Sequence, residues 1–136
     1  MDHGKIEKIE ALMIKCPEVS LTSICEDGYP RTVTISNIKF DGIGTVWFST
    51  GTNSVKVKHF IRDKRASVCY SVDGHNITLM GDVEVINEPE IKRELWLDWF
   101  INHFPLGVED PNYCILKFVT KRAAVWIGDI FEEFML

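Results

Sequence analysis

The sequence predicts a mainly β protein, a closed or split antiparallel barrel with helices inserted between its hairpins, and three observations carry that expectation. About seven short runs show the apolar/polar alternation of strands. Tight-turn pairs, Asp27-Gly28 and Asp73-Gly74, join successive runs as hairpins. Helical patterns do not alternate with single strands, so βαβ units and a parallel sheet are a poorer fit. With 136 residues and 46% hydrophobic composition, one domain spanning 1–136 with an ordinary core is expected.

Taken in order, Ile6, Ile9, Leu12, Met13 and Cys16 recur at helical spacing, and Pro17 stops that helix because it cannot continue the hydrogen-bond ladder. The spacing predicts a packing helix that lids one end of a sheet. Val19 to Glu26 reads as a strand, Asp27-Gly28-Tyr29-Pro30 as a turn, and Pro30 to Phe40 as the antiparallel partner. Within that partner Val33 and Ile35 alternate with Thr32, Thr34 and Ser36, then the apolar phase slips to Ile38 and Phe40, as at a bulge. Thr45 to Thr50 is the third strand, and Ser54 to Asp63 a short helix.

Ala66 to Val72 and His75 to Asn87 form a second hairpin, in which Gly81 marks a bulge or a close backbone approach. Asn87 as cap, Pro89 early and Glu90 three residues after the cap predict the start of the longest helix, carrying Ile91, Leu95, Trp96, Trp99 and Phe100. Asn112 to Thr120 and Ala123 to Ile127 read as two last strands joined by Lys121-Arg122. The aromatic helix, with Trp126, Phe131, Phe134 and Met135, is broad enough to serve a subunit interface as well as packing.

Several functions are disfavoured. A net charge of −5 argues against nucleic acid as the main partner. No charged-then-apolar leader opens at Met1-Asp2-His3-Gly4 and no apolar run is long enough for a membrane, so a cytoplasmic protein is expected. Cys16, Cys25, Cys69 and Cys114 lack C-x-x-C spacing and read as reduced, mostly buried thiols. His3, His59, His75 and His103 are scattered without H-E-x-x-H, and no metal site is expected. Neither G-x-G-x-x-G at a strand-to-helix turn, nor a Walker loop, nor G-x-S-x-G occurs.

Chemistry concentrates between Arg31 and Lys56. Two strand-like runs bring an Arg and several hydroxyls toward a helix start capped by Asn53 or Ser54, with Lys56 in its first turn. Free amides, hydroxyls and two cations suit a dianionic phosphate. The competing reading leaves Thr32, Thr34 and Ser36 as the wet face of a strand and Ser54 as a plain cap.

The order D-G-x-P-R-x-x-x-I, x-W-F-x-T, N-S-x-K and x-x-G-x-V-E-V, running from about Val19 to Trp96, resembles the FMN-binding split-barrel family related to pyridoxamine 5′-phosphate oxidase. The resemblance implies a split barrel in which Arg31, Thr32, Val33, Thr34 and Ser36 run past the flavin ring. It implies that Phe48, Ser49 and Thr50 border the ring and ribityl chain, that Ser54 and Lys56 hold the phosphate with help from Arg31, and that Asn76 reaches the flavin from a facing strand. It further implies a homodimer with FMN at the interface and an FMN-dependent oxidoreductase activity whose substrate, electron donor and catalytic side chains the sequence does not name. Family enzymes that oxidise pyridoxamine phosphate carry a basic residue where this chain has Ser36, and an Arg/His pair where it reads Trp126-Ile127-Gly128-Asp129-Ile130. The short, general-stress-protein-like branch is therefore the nearer resemblance. The alternative is a binding or sensing protein for flavin, deazaflavin or haem, with His59 or His75 as haem ligand.

Overall fold

A computed structural model describes residues 3–136; Met1 and Asp2, which open the segment read above for a leader, lie outside them. The order is α1 (His3–Met13), β1 (Glu18–Ile24), β2 (Pro30–Ser36), β3 (Lys39–Asp41), β4 (Thr45–Gly51), α2 (Val55–Arg62), β5 (Arg65–Val72), β6 (His75–Ile86), α3 (Pro89–Glu94), β7 (Tyr113–Ile127) and β8 (Ile130–Met135). Between α3 and β7 lie two 3₁₀ turns, Asp98–Asn102 and Gly107–Glu109.

All pairings are antiparallel, in the order β2-β1-β5-β6-β7-β4-β3, with β8 also on β7. The strands curl into a split barrel, as expected. Alternate residues enter one core: Val19 and Leu21, Val46 and Phe48, Val68 and Tyr70, Ile77 and Leu79, Leu116 and Phe118. From outside the sheet α1 adds Ile9, Leu12 and Met13, and α2 adds Val57 and Phe60. A second, smaller core joins Ile86, Ile115 and Tyr113 to Leu95, Phe100 and Phe104. All four cysteines are free thiols, Cys16 and Cys114 buried and Cys25 and Cys69 half-buried. Among the described residues, no helix is long and apolar enough to cross a membrane.

The structure corrects four element readings. Pro30 to Phe40 is not one bulged strand but β2 and β3, and β3 pairs with β4. The break falls at Asn37, whose amide donates to the carbonyls of Met13 (3.0 Å) and Cys16 (2.9 Å), at and just past the end of α1. Lys121-Arg122 is no turn, because β7 runs unbroken across it. Its first half pairs with β4 and its second half with β8, a strand the sequence reading missed. The aromatic helix shrinks to the six residues of α3, capped at Glu88 and not Asn87, and the rest of the segment is 3₁₀.

Gly81 proves to be both of the things considered for it. The β6/β7 register shifts between Met80 and Gly81, and a Cβ at Gly81 would sit 2.0 Å from the carbonyl oxygen of Val119. The shift leaves Lys121 as the extra residue on β7, where that strand passes from β4 to β8.

Candidate functional site

The site is built where β2 and β4 approach α2. In strand β2, Arg31 lies opposite Ser23 of β1, so both side chains project to the face that also carries the packed residues Val33 and Ile35. Ser23 is buried and its hydroxyl lies 2.7 Å from Nδ1 of His59, itself buried on α2. This pair ties β1 to the helix one turn beyond Lys56.

At the start of α2, Ser54 is the capping residue in extended conformation, yet its side chain makes no capping hydrogen bond. The amides of the first turn therefore point outward without a side-chain acceptor. Thr50, buried at the end of β4, donates to Ser54 Oγ at 3.4 Å.

Burial first, and then the positive charge of Arg31, hold the Lys56 amine below its ordinary value. The two cations thus share one neighbourhood. Among the described residues neither side chain has an ion-pair or hydrogen-bond partner. Two cations near enough for one to lower the other's pKa, without a counter-charge and with free helix amides beside Lys56, fit a dianionic phosphate: charge-assisted bonds would satisfy both, and the anion would relieve their repulsion. His59 is held below its usual value as well, by burial first, then by Arg62 and Arg31.

A cleft of about 370 Å³ is lined by Thr34 and Ser36 from β2 and by Ser49 and Thr50 from β4; Arg31 and Lys56 are not among its lining residues, and the bond from Thr50 to Ser54 links it to the start of α2. Four of the residues named from the sequence thus meet in one place, although β2 and β4 are not hydrogen-bonded neighbours. The remaining ones stand elsewhere. Thr32 shares a hydroxyl bond of 2.8 Å with Thr22, Val33 packs on the core, and the Phe48 side chain is wholly buried within it.

Asn76 does not join the cleft of its own chain. It is not among the residues that line the cleft. Its amide donates to Cys69 Sγ at 3.3 Å and accepts from the Thr78 hydroxyl at 3.0 Å. Both histidines proposed for haem hold a hydrogen bond through Nδ1. His59 is bonded to Ser23, and His75 Nδ1 accepts the Gly128 amide at 3.0 Å.

Sequence reasoning missed several residues of the cleft, among them Trp99, His103 and Asn112. Trp99 reads as a packing residue, and His103 lies in a segment without periodicity. Only the folding back of the 3₁₀ turn onto β2 and β4 brings them there. Asn112 immediately precedes β7, which offers no local signal of a ligand.

Comparison with known proteins agrees with this architecture. The family model described as pyridoxamine 5′-phosphate oxidase like matches residues 5–132. Comparison with curated proteins gives no match. Among solved structures, a Clostridium acetobutylicum protein related to general stress protein 26 of B. subtilis (pyridoxinephosphate oxidase family) superposes with a TM-score of 0.90 at 23% identity, over 100% of this chain and 97% of that one. A Nostoc punctiforme pyridoxamine 5′-phosphate oxidase-related, FMN binding protein gives a TM-score of 0.73 at 14% identity, covering 98% and 95%. A heme binding protein from Mycobacterium smegmatis gives 0.78 at 13% identity, over 99% of this chain but 59% of that one. At these identities the structural likeness establishes the fold alone.

Proposed function

Since the chain belongs to the pyridoxamine 5′-phosphate oxidase-like family, whose model spans nearly its whole length, we propose that it is a cytoplasmic FMN-binding flavoprotein and an FMN-dependent oxidoreductase, working as a homodimer with the flavin at the interface. The observation that carries this reading is the unpaired Arg31/Lys56 pair at the open start of α2. There Arg31, Lys56, Ser54 and the first-turn amides hold the phosphate. Thr34, Ser36, Ser49 and Thr50 line the cleft for the ribityl chain and ring. When bound, the flavin supplies hydride acceptance; the chain's own residues orient it and shield it from water. Asn76, which does not line the cleft of its own chain, serves that of a second copy across the interface.

Ser36 brings no positive charge to the cleft, so we do not assign pyridoxamine phosphate itself as the substrate.

The test is the absorption spectrum of the purified protein, followed by titration with FMN. A yellow protein, or one that takes up FMN at micromolar concentration, supports the reading. A colourless protein that takes up none, or a haem or deazaflavin spectrum, overturns it. Reduction of the bound flavin by NADH or NADPH then separates an enzyme from a carrier.

A further inference from the structure

A phosphate between Arg31 and Lys56 accounts for those two charges but not for the histidine buried between the elements that carry them. His59 lies on α2 one turn after Lys56, and its Nδ1 is 2.7 Å from the hydroxyl of Ser23, whose partner across the β1/β2 ladder is Arg31. Both members of the pair are buried. His59 thus links the two arms of the cation pair.

The serine hydroxyl can accept from Nδ1–H in either charge state of the ring, and Nε2 meets no hydrogen-bond partner among the described residues. A proton from solvent can therefore be taken at Nε2 without breaking the pair. What withholds it is burial first, then the charges of Arg62 on the same helix and Arg31 on β2, with Asp27 in the β1–β2 turn acting the other way. Strand β6, which also packs on α2, adds no charge to that set. A dianion between Arg31 and Lys56 changes the balance, because it cancels the Arg31 charge that opposes the proton and brings negative charge of its own. Proton and anion then favour each other, and by linkage each tightens the other's binding.

We propose that His59 is the positioning residue of the phosphate site, taking up a proton as a dianion settles between Arg31 and Lys56, so that the site holds its ligand more tightly in mild acid. The inference rests on the functional reading above for the identity of the ligand and adds to it a regulation of that site by pH. In the ligand-free chain the same proton only loosens the fold. With the anion bound, it makes a third cation beside the same charge.

The probe is inorganic sulfate, which stays dianionic in the range where a phosphate ester, with its second ionisation at about 6, does not. The histidine ring signals of the ligand-free protein are followed by NMR from about pH 7.5 to about pH 5.5, in sulfate and in chloride at equal ionic strength. Loss of one signal in His59→Asn identifies His59. Sulfate is expected to raise its proton affinity about tenfold, the effect of a close opposite charge, and to leave His3, His75 and His103 as they were. Lys56→Met should abolish that displacement. Arg62→Gln, at an exposed position outside the phosphate site, should raise the proton affinity of His59 in chloride with little threat to folding. A His59 titration identical in sulfate and chloride, or one that moves no more than the other three, overturns the proposal. FMN affinity at the two ends of the range then separates the readings. If its pH profile is the same in wild type and His59→Asn, the proton coupling fails and the flavin reading stands. If sulfate moves His59 in a protein that takes up no FMN, the flavin reading fails and the proton-coupled anion site stands.

Discussion

Ser23 Oγ lies 2.7 Å from Nδ1 of His59, a buried contact between the strand that pairs with Arg31 and the helix that carries Lys56. Through it the two halves of the cation pair share one mount. Arg31 comes from an edge strand and Lys56 from a helix of eight residues, and neither element fixes their separation alone.

Acid should loosen this mount. His59 is held below its usual 6.5 in the folded chain, so the unfolded chain takes up the proton first. The stability contributed by neutral His59 is full above about pH 6.5 and is lost as pH falls toward the folded-state value. Thermal melts between pH 7.5 and pH 5, a range chosen on that basis, should show a falling Tm in the wild type and a shallower fall in His59→Asn. Parallel slopes would reject the role given to His59.

Lys56 should trade stability for ligand. Its amine is half-buried beside another cation, so Lys56→Met removes an unfavourable contact while keeping most of the stem. The ligand-free variant should melt no lower than wild type, whereas its FMN affinity should drop about 10- to 100-fold, the worth of one charge-assisted bond. Fluorescence titration with FMN and a melting curve measure both on one sample.

Replacing Gly81 should be severe. A Cβ there meets the Val119 carbonyl oxygen at 2.0 Å, and that atom belongs to the backbone of the longest strand. Gly81→Ala is expected to cost about 3 kcal/mol or more, from forced separation of β6 and β7 at the bulge. Urea unfolding gives the number, with Gly74→Ala, in open space at a turn, as the milder comparison.

The Tyr113 hydroxyl donates to the Lys92 carbonyl at 2.8 Å inside the second core, and burial pushes its ionisation up to about 12. Tyr113→Phe leaves the ring packing but orphans that carbonyl, so a loss of about 1 kcal/mol is expected in chemical denaturation. Because the 3₁₀ segment bearing Trp99 packs on this core, the cleft should loosen with it.

The β7–β8 ribbon leaves Trp126 (51%), Ile130 (63%), Phe131 (52%) and Met135 (74%) exposed, with the rings of Trp126 and Phe131 5.9 Å apart. Under the homodimer reading this is part of the covered surface. Light scattering should give twice the chain mass, and Phe131→Glu should shift it toward monomer with loss of bound flavin. A wild-type monomer would remove the interface from the proposal.

Local chemistry in the sequence decided the hairpins, the helix start at Ser54 and the candidate cation pair, because alternation, Asp-Gly turns and a capping residue act over a few residues. It also brought out the ordered motifs that announce the family, now borne out over residues 5–132. What it did not decide are the features that depend on partners far along the chain. Lys121-Arg122 resembles a turn because two charges interrupt the apolar pattern, yet it is where one strand exchanges β4 for β8 around a bulge. Asn37 breaks β2 from β3 only because the end of α1 presents carbonyls to it. The cleft itself belongs to this second class: Thr34, Ser49, Trp99 and Asn112 are dispersed along the sequence, and only closure of the curled sheet against the 3₁₀ turn makes them neighbours. Side-chain periodicity is a local property, but which faces meet is settled by the register of long antiparallel pairs and by burial of the common core.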